Sequence, residues 1–384
     1  MSLLRGQRFA GRASMLLPER LFSVNQNALP VPASCYATLD DIVRAVDACQ
    51  PDLVFLLSGY LFSNERLLSR EALKRLLRQL RDRGCCVATS DPFVGLAPRL
   101  TLAELDIRIP LSAGPAVHRW LAALMSRLRP RSKVMRIPCL EDVVHLYPTP
   151  IPVSEDPVPR RSFFNPTVIR AACGTRALGA RRGHSDGPES RPRWLFVISQ
   201  VDLRFQVVLR GQEKFIEFVR DLLRRAAEAE RHTTLVAPPW LADRLMNALP
   251  DSVELLPFCP LAEFEQRLLD AEYAFYWNAF SFSHVARVAN ELPIFLFDRG
   301  HLARTIKPYY EVARSWLYGG WEPTYLDPTQ VVSREVLADL ARAQKPALRA
   351  LRERWQALPT PDELVDQLVA EASGSDRSRG AMYA

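Results

Sequence analysis

The sequence predicts an α/β protein made of two doubly wound, Rossmann-like domains facing a cleft, followed by a C-terminal helical segment. Three observations carry this. Short apolar runs alternate with segments of helical period along both halves of the 384-residue chain, and runs apolar on both faces belong to parallel strands covered by helices. A Pro-rich, then Gly/Arg/Ser-rich stretch at 148–192 separates the halves. The composition, 48% hydrophobic and 24% charged, is that of a globular chain long enough for two cores.

In the first domain, expected over 1–147, prolines 18, 30 and 32 break up the opening residues. Residues 40–49 read as a helix with Ile42, Val43 and Val46 inward, followed by the strand LVFLLS at 53–58. A long helix over 67–83 carries the stripe Leu73, Leu76, Leu77 and Leu80 and stops at Gly84. The strand CCVATS follows at 85–90, then a helix near 116–128 and a strand near 143–147. The second domain, expected over 193–332, is clearer. Strands WLFVIS (194–199), TTLVAP (233–238), VELLPF (253–258), YAFYWN (273–278) and IFLFD (294–298) alternate with helical patterns at 213–226, 241–248, 261–271 and 283–291. Residues 333–384 read as helices and a disordered tail.

Lys plus Arg is 50 and Asp plus Glu 43, a net charge of +7. This excess suits a phosphate-bearing ligand, and no nucleic-acid-binding pattern accompanies it. Seven cysteines without a Cys-x-x-Cys do not make a disulfide framework. No signal-type or membrane-spanning apolar run is seen, so the expected location is cytoplasmic. The P-loop, the GxGxxG fingerprint and the GxSxG elbow are missing. No Asp-x-Asp and no His/Cys cluster occurs, so no metal and no cofactor are expected.

Ligands of doubly wound sheets lie beyond the carboxyl ends of the strands. The informative residues are then Ser199-Gln200, 257–260, 278–284 and 298–301 in the second half, and Ser58-Gly59-Tyr60 and 90–93 in the first. The run VELLPFCPLAEFEQRLLDAEYAFYWNAFSFSHVARVANELPIFLFDRG resembles the nucleotide-binding half of glycosyltransferase-B enzymes in its order of strand, "pf" loop, helix, strand, polar turn, Ser, helix, Pro and strand. PDLVFLLSGYL and CCVATSDPF resemble the acceptor half. The resemblance covers most of 36–330 and identifies no subfamily.

The resemblance implies metal-independent transfer from a nucleotide-diphosphate sugar to a small-molecule, glycan or protein acceptor. The donor residues it points to are Arg204, Lys214, Phe258, Ser281, Ser283, His284, Asp298 and Arg299, with Ser58, Gly59 and Tyr60 on the acceptor side. Ser281, Ser283 and His284 open a helix whose free N–H groups suit a diphosphate; the plainer alternative is a simple cap. Arg204 and Lys214 would sit on a basic loop against the phosphates, or on a merely solvated one. Phe258 has core packing as its alternative. Asp298-Arg299-Gly300-His301 gathers three titratable groups on one turn, with an Asp298–Arg304 or Asp298–Arg299 pair as the alternative. The Glu-x7-Glu pattern of retaining enzymes fails, because Ser283 stands eight residues before Glu291. Inversion is therefore expected, with Asp91 as general base, His118 and His145 behind it, and His301 at the donor; the alternative for Asp91 is turn initiation before Pro92. A sugar-nucleotide epimerase and a non-catalytic nucleotide-binding protein of the same fold stay open.

Overall fold

The structure, a computed structural model, describes residues 3–4, 6–19, 22, 31–57, 59–60, 68–106, 116–150, 158–169, 193–229, 231–257, 259, 261–327 and 333–380. Its chain divides into two compact units. Met1–Leu102, Arg131–Thr167 and Trp355–Ala384 form one, and Ala103–Pro130 and Val168–Arg354 form the other.

In the first unit β1 (Met15–Pro18) pairs in parallel with β2 (Ala33–Tyr36). A reciprocal cap starts α1 (Leu39–Cys49): Thr38 accepts from the Asp41 N–H, and Asp41 accepts from the Thr38 N–H. Then come β3 (Leu53–Leu56), α2 (Arg70–Asp82) and β4 (Cys86–Thr89). The α2 stripe Leu73, Leu76, Leu77 and Leu80 is buried, as its spacing predicts. The chain next passes through α3 (Ala116–Leu128), which belongs to the second unit. It returns as α4 (Pro138–Glu141), β5 (Val144–Tyr147) and β6 (Arg160–Ser162). β3, β4, β5 and β6 form a parallel sheet in that order. β6 lies inside the stretch expected as linker; the residues after 169 in that stretch are outside the described ones.

The second unit runs β7 (Arg193–Val197), α5 (Gln200–Arg210), α6 (Gln212–Glu228), β8 (His232–Val236), α7 (Pro239–Leu245), β9 (Val253–Leu256), α8 (Leu261–Asp270), β10 (Tyr273–Tyr276), α9 (Phe282–Ala289), β11 (Ile294–Leu296), α10 (His301–Thr305), α11 (Tyr309–Leu317), β12 (Thr324–Tyr325) and α12 (Arg334–Gln356). All six strands are parallel, in the order β12-β11-β10-β7-β8-β9. The chain winds outward from β7 to β9 and then returns to β10 on the other side of β7. The winding therefore reverses between β7 and β10, where such sheets leave a crevice at their carboxyl edge. The core is aromatic: Phe196 stacks on Phe275 at 4.5 Å, and Phe275 stacks on Phe295 at 5.5 Å.

α13 (Pro361–Gly380) belongs to the first unit, burying Leu364 and Leu368 against Leu146 and Phe163. It extends into the tail expected to be disordered. Residues 103–130, taken from sequence as first-domain, belong to the second unit, and 355–384 belong to the first. These departures share one cause. Unit membership is set by long-range contacts, whereas the sequence pattern reports only local periodicity.

Candidate functional site

A cavity of about 420 Å³ opens at the carboxyl ends of β7, β8, β9 and β10. Ser199, Gln200, Pro238, Pro257, Asn278 and Ser281 are among its lining residues. Three loops expected from sequence to hold the donor, at 199–200, 257–260 and 278–284, thus contribute to one cavity. Prolines 238 and 257 lack N–H groups and bring carbonyl-bearing backbone to the wall without stranding a donor. The amino terminus of α9 lies at this edge, where Ser281 lines the cavity. Ser281 caps it, accepting from the Ser283 N–H at 3.4 Å, and its hydroxyl lies 2.8 Å from that of Ser283.

One carboxylate organises the loops around this cavity. Asp202 accepts from the Ser199 hydroxyl at 2.6 Å, from Asn278 Nδ2 at 2.7 Å and from the His301 N–H at 3.1 Å. It is 6% exposed. The loops after β7, β10 and β11 are therefore locked to a single side chain in the first turn of α5. Gly300 makes the approach possible. Its φ is +85°, and a Cβ there would come within 2.5 Å of the Asn278 Cβ. The Ala279 N–H then donates to the Arg299 carbonyl at 3.1 Å. Asp202 was missed from sequence, although Ser199-Gln200-Val201-Asp202 carries the signature of a cap.

Most of the charged donor residues expected from sequence are engaged elsewhere. Arg204 and Lys214 are exposed and lie on α5 and α6, not on a loop. α5 spans 11 residues, so Lys214 begins about 16 Å along the chain from the edge that holds the cavity. Both oxygens of Asp298 are taken by Arg304, at 2.8 and 2.9 Å. Arg299 stacks on Tyr310 at 4.0 Å. His284 is fully buried, its Nδ1 2.6 Å from the Tyr318 hydroxyl, and burial holds its pKa down at about 3. It stays neutral at physiological pH and brings no positive charge to a phosphate. The side chain of His301 is buried, edge-on to Phe205, while its backbone joins the Asp202 cluster. Phe258 lies outside the described residues. Glu291, the residue expected at the second Glu of a retaining pattern, accepts from Arg352 at 3.0 Å beyond the far end of α9.

In the first unit, Ser58 lies outside the described residues. The Gly59 N–H donates to Thr89 Oγ1 at 2.9 Å. Tyr60 is fully buried, and its hydroxyl lies 2.9 Å from His145 Nε2. Its ring is thus a core element of the first unit. His145 Nδ1 sits 2.7 Å from the Val143 carbonyl. It therefore donates there, and Nε2 accepts from Tyr60. Asp91 accepts from the N–H groups of Phe93 at 2.6 Å and Ala97 at 3.0 Å, which shapes the loop after β4. Burial raises its pKa from 3.8 to about 6, against the lowering effect of those amides. The folded protein thus holds this proton more tightly than the unfolded chain. The associated stability is full below about pH 4 and is lost as pH rises through about 6. Asp91→Asn should flatten the pH dependence of the melting temperature across that window; an unchanged slope would show that another group sets it.

No protein-family model matches the sequence, and no curated protein matches it either. Solved structures do resemble the fold. Spinosyn forosaminyltransferase SpnP aligns over 97% of this chain and 94% of its own, at 15% identity and a TM-score of 0.53. The glycotransferase of kitacinnamycin aligns over 96% and 93%, at 15% identity and 0.52. Os79 from O. sativa, solved in complex with UDP, aligns over 97% and 96%, at 13% identity and 0.52. The chain has the glycosyltransferase-B fold.

Within this fold a second unforeseen residue fixes α9. Arg287 is fully buried and donates to the carbonyls of Leu268, Ala271, Glu272 and Pro293, at 2.9, 2.6, 3.0 and 2.6 Å. It thereby holds the end of α8 and the entries to β10 and β11, while Ser281 and His284 hold the other end of α9. Burial lowers its pKa to about 10, so it stays charged at neutral pH. Only its place in an otherwise apolar helical run could have marked it in the sequence.

Proposed function

We propose that this chain transfers a sugar from a nucleotide-diphosphate sugar to an acceptor, without a metal ion. The cavity at the winding reversal supports the reading most directly, because an α9 amino terminus lies at its wall. The diphosphate would be held at the positive end of α9, with Ser281, Ser199 and Asn278 as polar partners. Arg204 and Lys214, turned to solvent, take little part in this. Inversion is the form we favour, with Asp91 as base. Its pKa of about 6 suits proton abstraction near neutrality, and its carboxylate oxygens have acceptor capacity beyond the loop amides of Phe93, Gly95 and Ala97. UDP, bound in the Os79 structure, sets the first probe.

The experiment is calorimetry and thermal melting of EDTA-treated protein with UDP and TDP, followed by turnover of the matching nucleotide sugars. At about 100 times its Kd, a bound nucleotide adds roughly 2.7 kcal/mol. Binding with sugar transfer is the expected result. Absence of any nucleotide binding overturns the donor site. Dependence on added Mg²⁺ or Mn²⁺ overturns the metal-independent form, and binding without turnover across many acceptors favours a non-catalytic protein.

A further inference from the structure

α3 carries its apolar side outward. Trp120, Leu121, Leu124 and Leu128 are 62%, 44%, 38% and 67% exposed. Their spacing places them on one helical stripe about 100° wide. The half-buried residues of the same helix include Ala123, Met125 and Ser126. A helix that packed on its own unit for stability would bury the tryptophan and leucines and expose the small residues. Here the large apolar groups are left to another phase.

The surrounding chemistry says which phase. Between Asp106 and Pro130, within the same unit, the sequence has four arginines and no Asp or Glu. Arg127 and Arg129 are exposed at the end of the helix. The excursion is closed at its base, where the Ala103 N–H donates to the Pro130 carbonyl at 3.3 Å and the Asp106 N–H to the Thr305 carbonyl at 2.7 Å. A fixed base thus presents a basic helix with an outward Trp/Leu stripe. A second copy of the chain fits this face poorly. A two-fold interface sets a patch against itself and would bring its arginines together with no acid to offset them.

We propose that α3 is an interfacial helix that lays this stripe into the surface of an anionic lipid bilayer. Trp120 and the three leucines enter the headgroup–acyl boundary, and Arg127 and Arg129 meet the lipid phosphates. Among the described residues no helix is long and apolar enough to cross a membrane. The attachment is peripheral and weakens with added salt.

The test is vesicle flotation of the full chain. One set of vesicles is pure phosphatidylcholine, and the other is equal parts phosphatidylcholine and phosphatidylglycerol. Wild type should float with the anionic vesicles at least about tenfold more than with the neutral ones. The double variant Trp120→Asp/Leu128→Asp should lose flotation while melting at the wild-type temperature, because the replaced groups are exposed. Arg127→Gln/Arg129→Gln should cut anionic binding about tenfold. Failure of wild type to float, or flotation of the Asp variant at the wild-type level, overturns the proposal. So does sedimentation of wild type as a dimer that the Asp variant breaks, with no lipid binding, which would assign the face to a second copy.

Discussion

Arg287→Ala is expected to give the largest loss of stability of any single change in the second unit. The substitution leaves four carbonyls, those of Leu268, Ala271, Glu272 and Pro293, without their buried donor. Each unmet buried group costs about 1–3 kcal/mol, although some will find water in the space vacated. A net loss of about 4 kcal/mol follows, which lowers the melting temperature by roughly 10 °C. Arg287→Lys should recover little, because one ammonium cannot reproduce a planar fork reaching two pairs of carbonyls. Thermal melts of the two variants decide the matter. A lysine variant as stable as wild type would mean that charge alone, and not the geometry of the guanidinium, holds the entries to β10 and β11.

Asp202→Ala should act on the cavity itself. It releases the Ser199 hydroxyl, the Asn278 amide and the His301 N–H together. Ser199 and Asn278 line the cavity, so loosening them costs binding as well as fold. The expected cost is about 2–4 kcal/mol of stability and at least about tenfold in nucleotide-diphosphate affinity. Asp202→Asn makes the sharper comparison. It keeps the size and one acceptor oxygen, but turns a donor toward groups that are themselves donors, so it should lie between alanine and wild type. Calorimetry with UDP reads the affinity and melting reads the fold. If Asp202→Ala melts lower yet binds UDP with unchanged affinity, the three-loop cluster is structural only and the donor lies elsewhere.

Why these residues escaped the sequence is itself physical. α5 was expected as a loop because its polarity is mixed: Asp202 and Gln206 are buried beside Leu203 and Phe205, while Val201, Val208 and Leu209 are exposed. A pattern read as apolar-in and polar-out fails where hydrogen-bonded side chains share the buried face and apolar ones point out. Ser281 was legible because a cap is a local event between neighbours in sequence. Asp202 meets Asn278 across 76 positions and His301 across 99, and no local spacing encodes such partners. The titratable turn at 298–301 was correctly located but its contacts were not. The paired reading of Asp298 with Arg304, kept as the plainer alternative, is the one the geometry supports.

By itself the sequence determined what depends on periodicity and neighbours. The continuous apolar runs of the second half had to be strands covered on both faces, and the alternation with helices had to make them parallel. The polar turns after those strands had to lie at one sheet edge. Only the tertiary structure decided which of those turns share a cavity and which side chains are already committed within the protein. It brought Asp202, Asn278 and Gly300 together, turned Arg204 to solvent, and sealed Tyr60 and His284 in the interior. Each of these outcomes depends on desolvation and on hydrogen bonds between segments far apart in the chain.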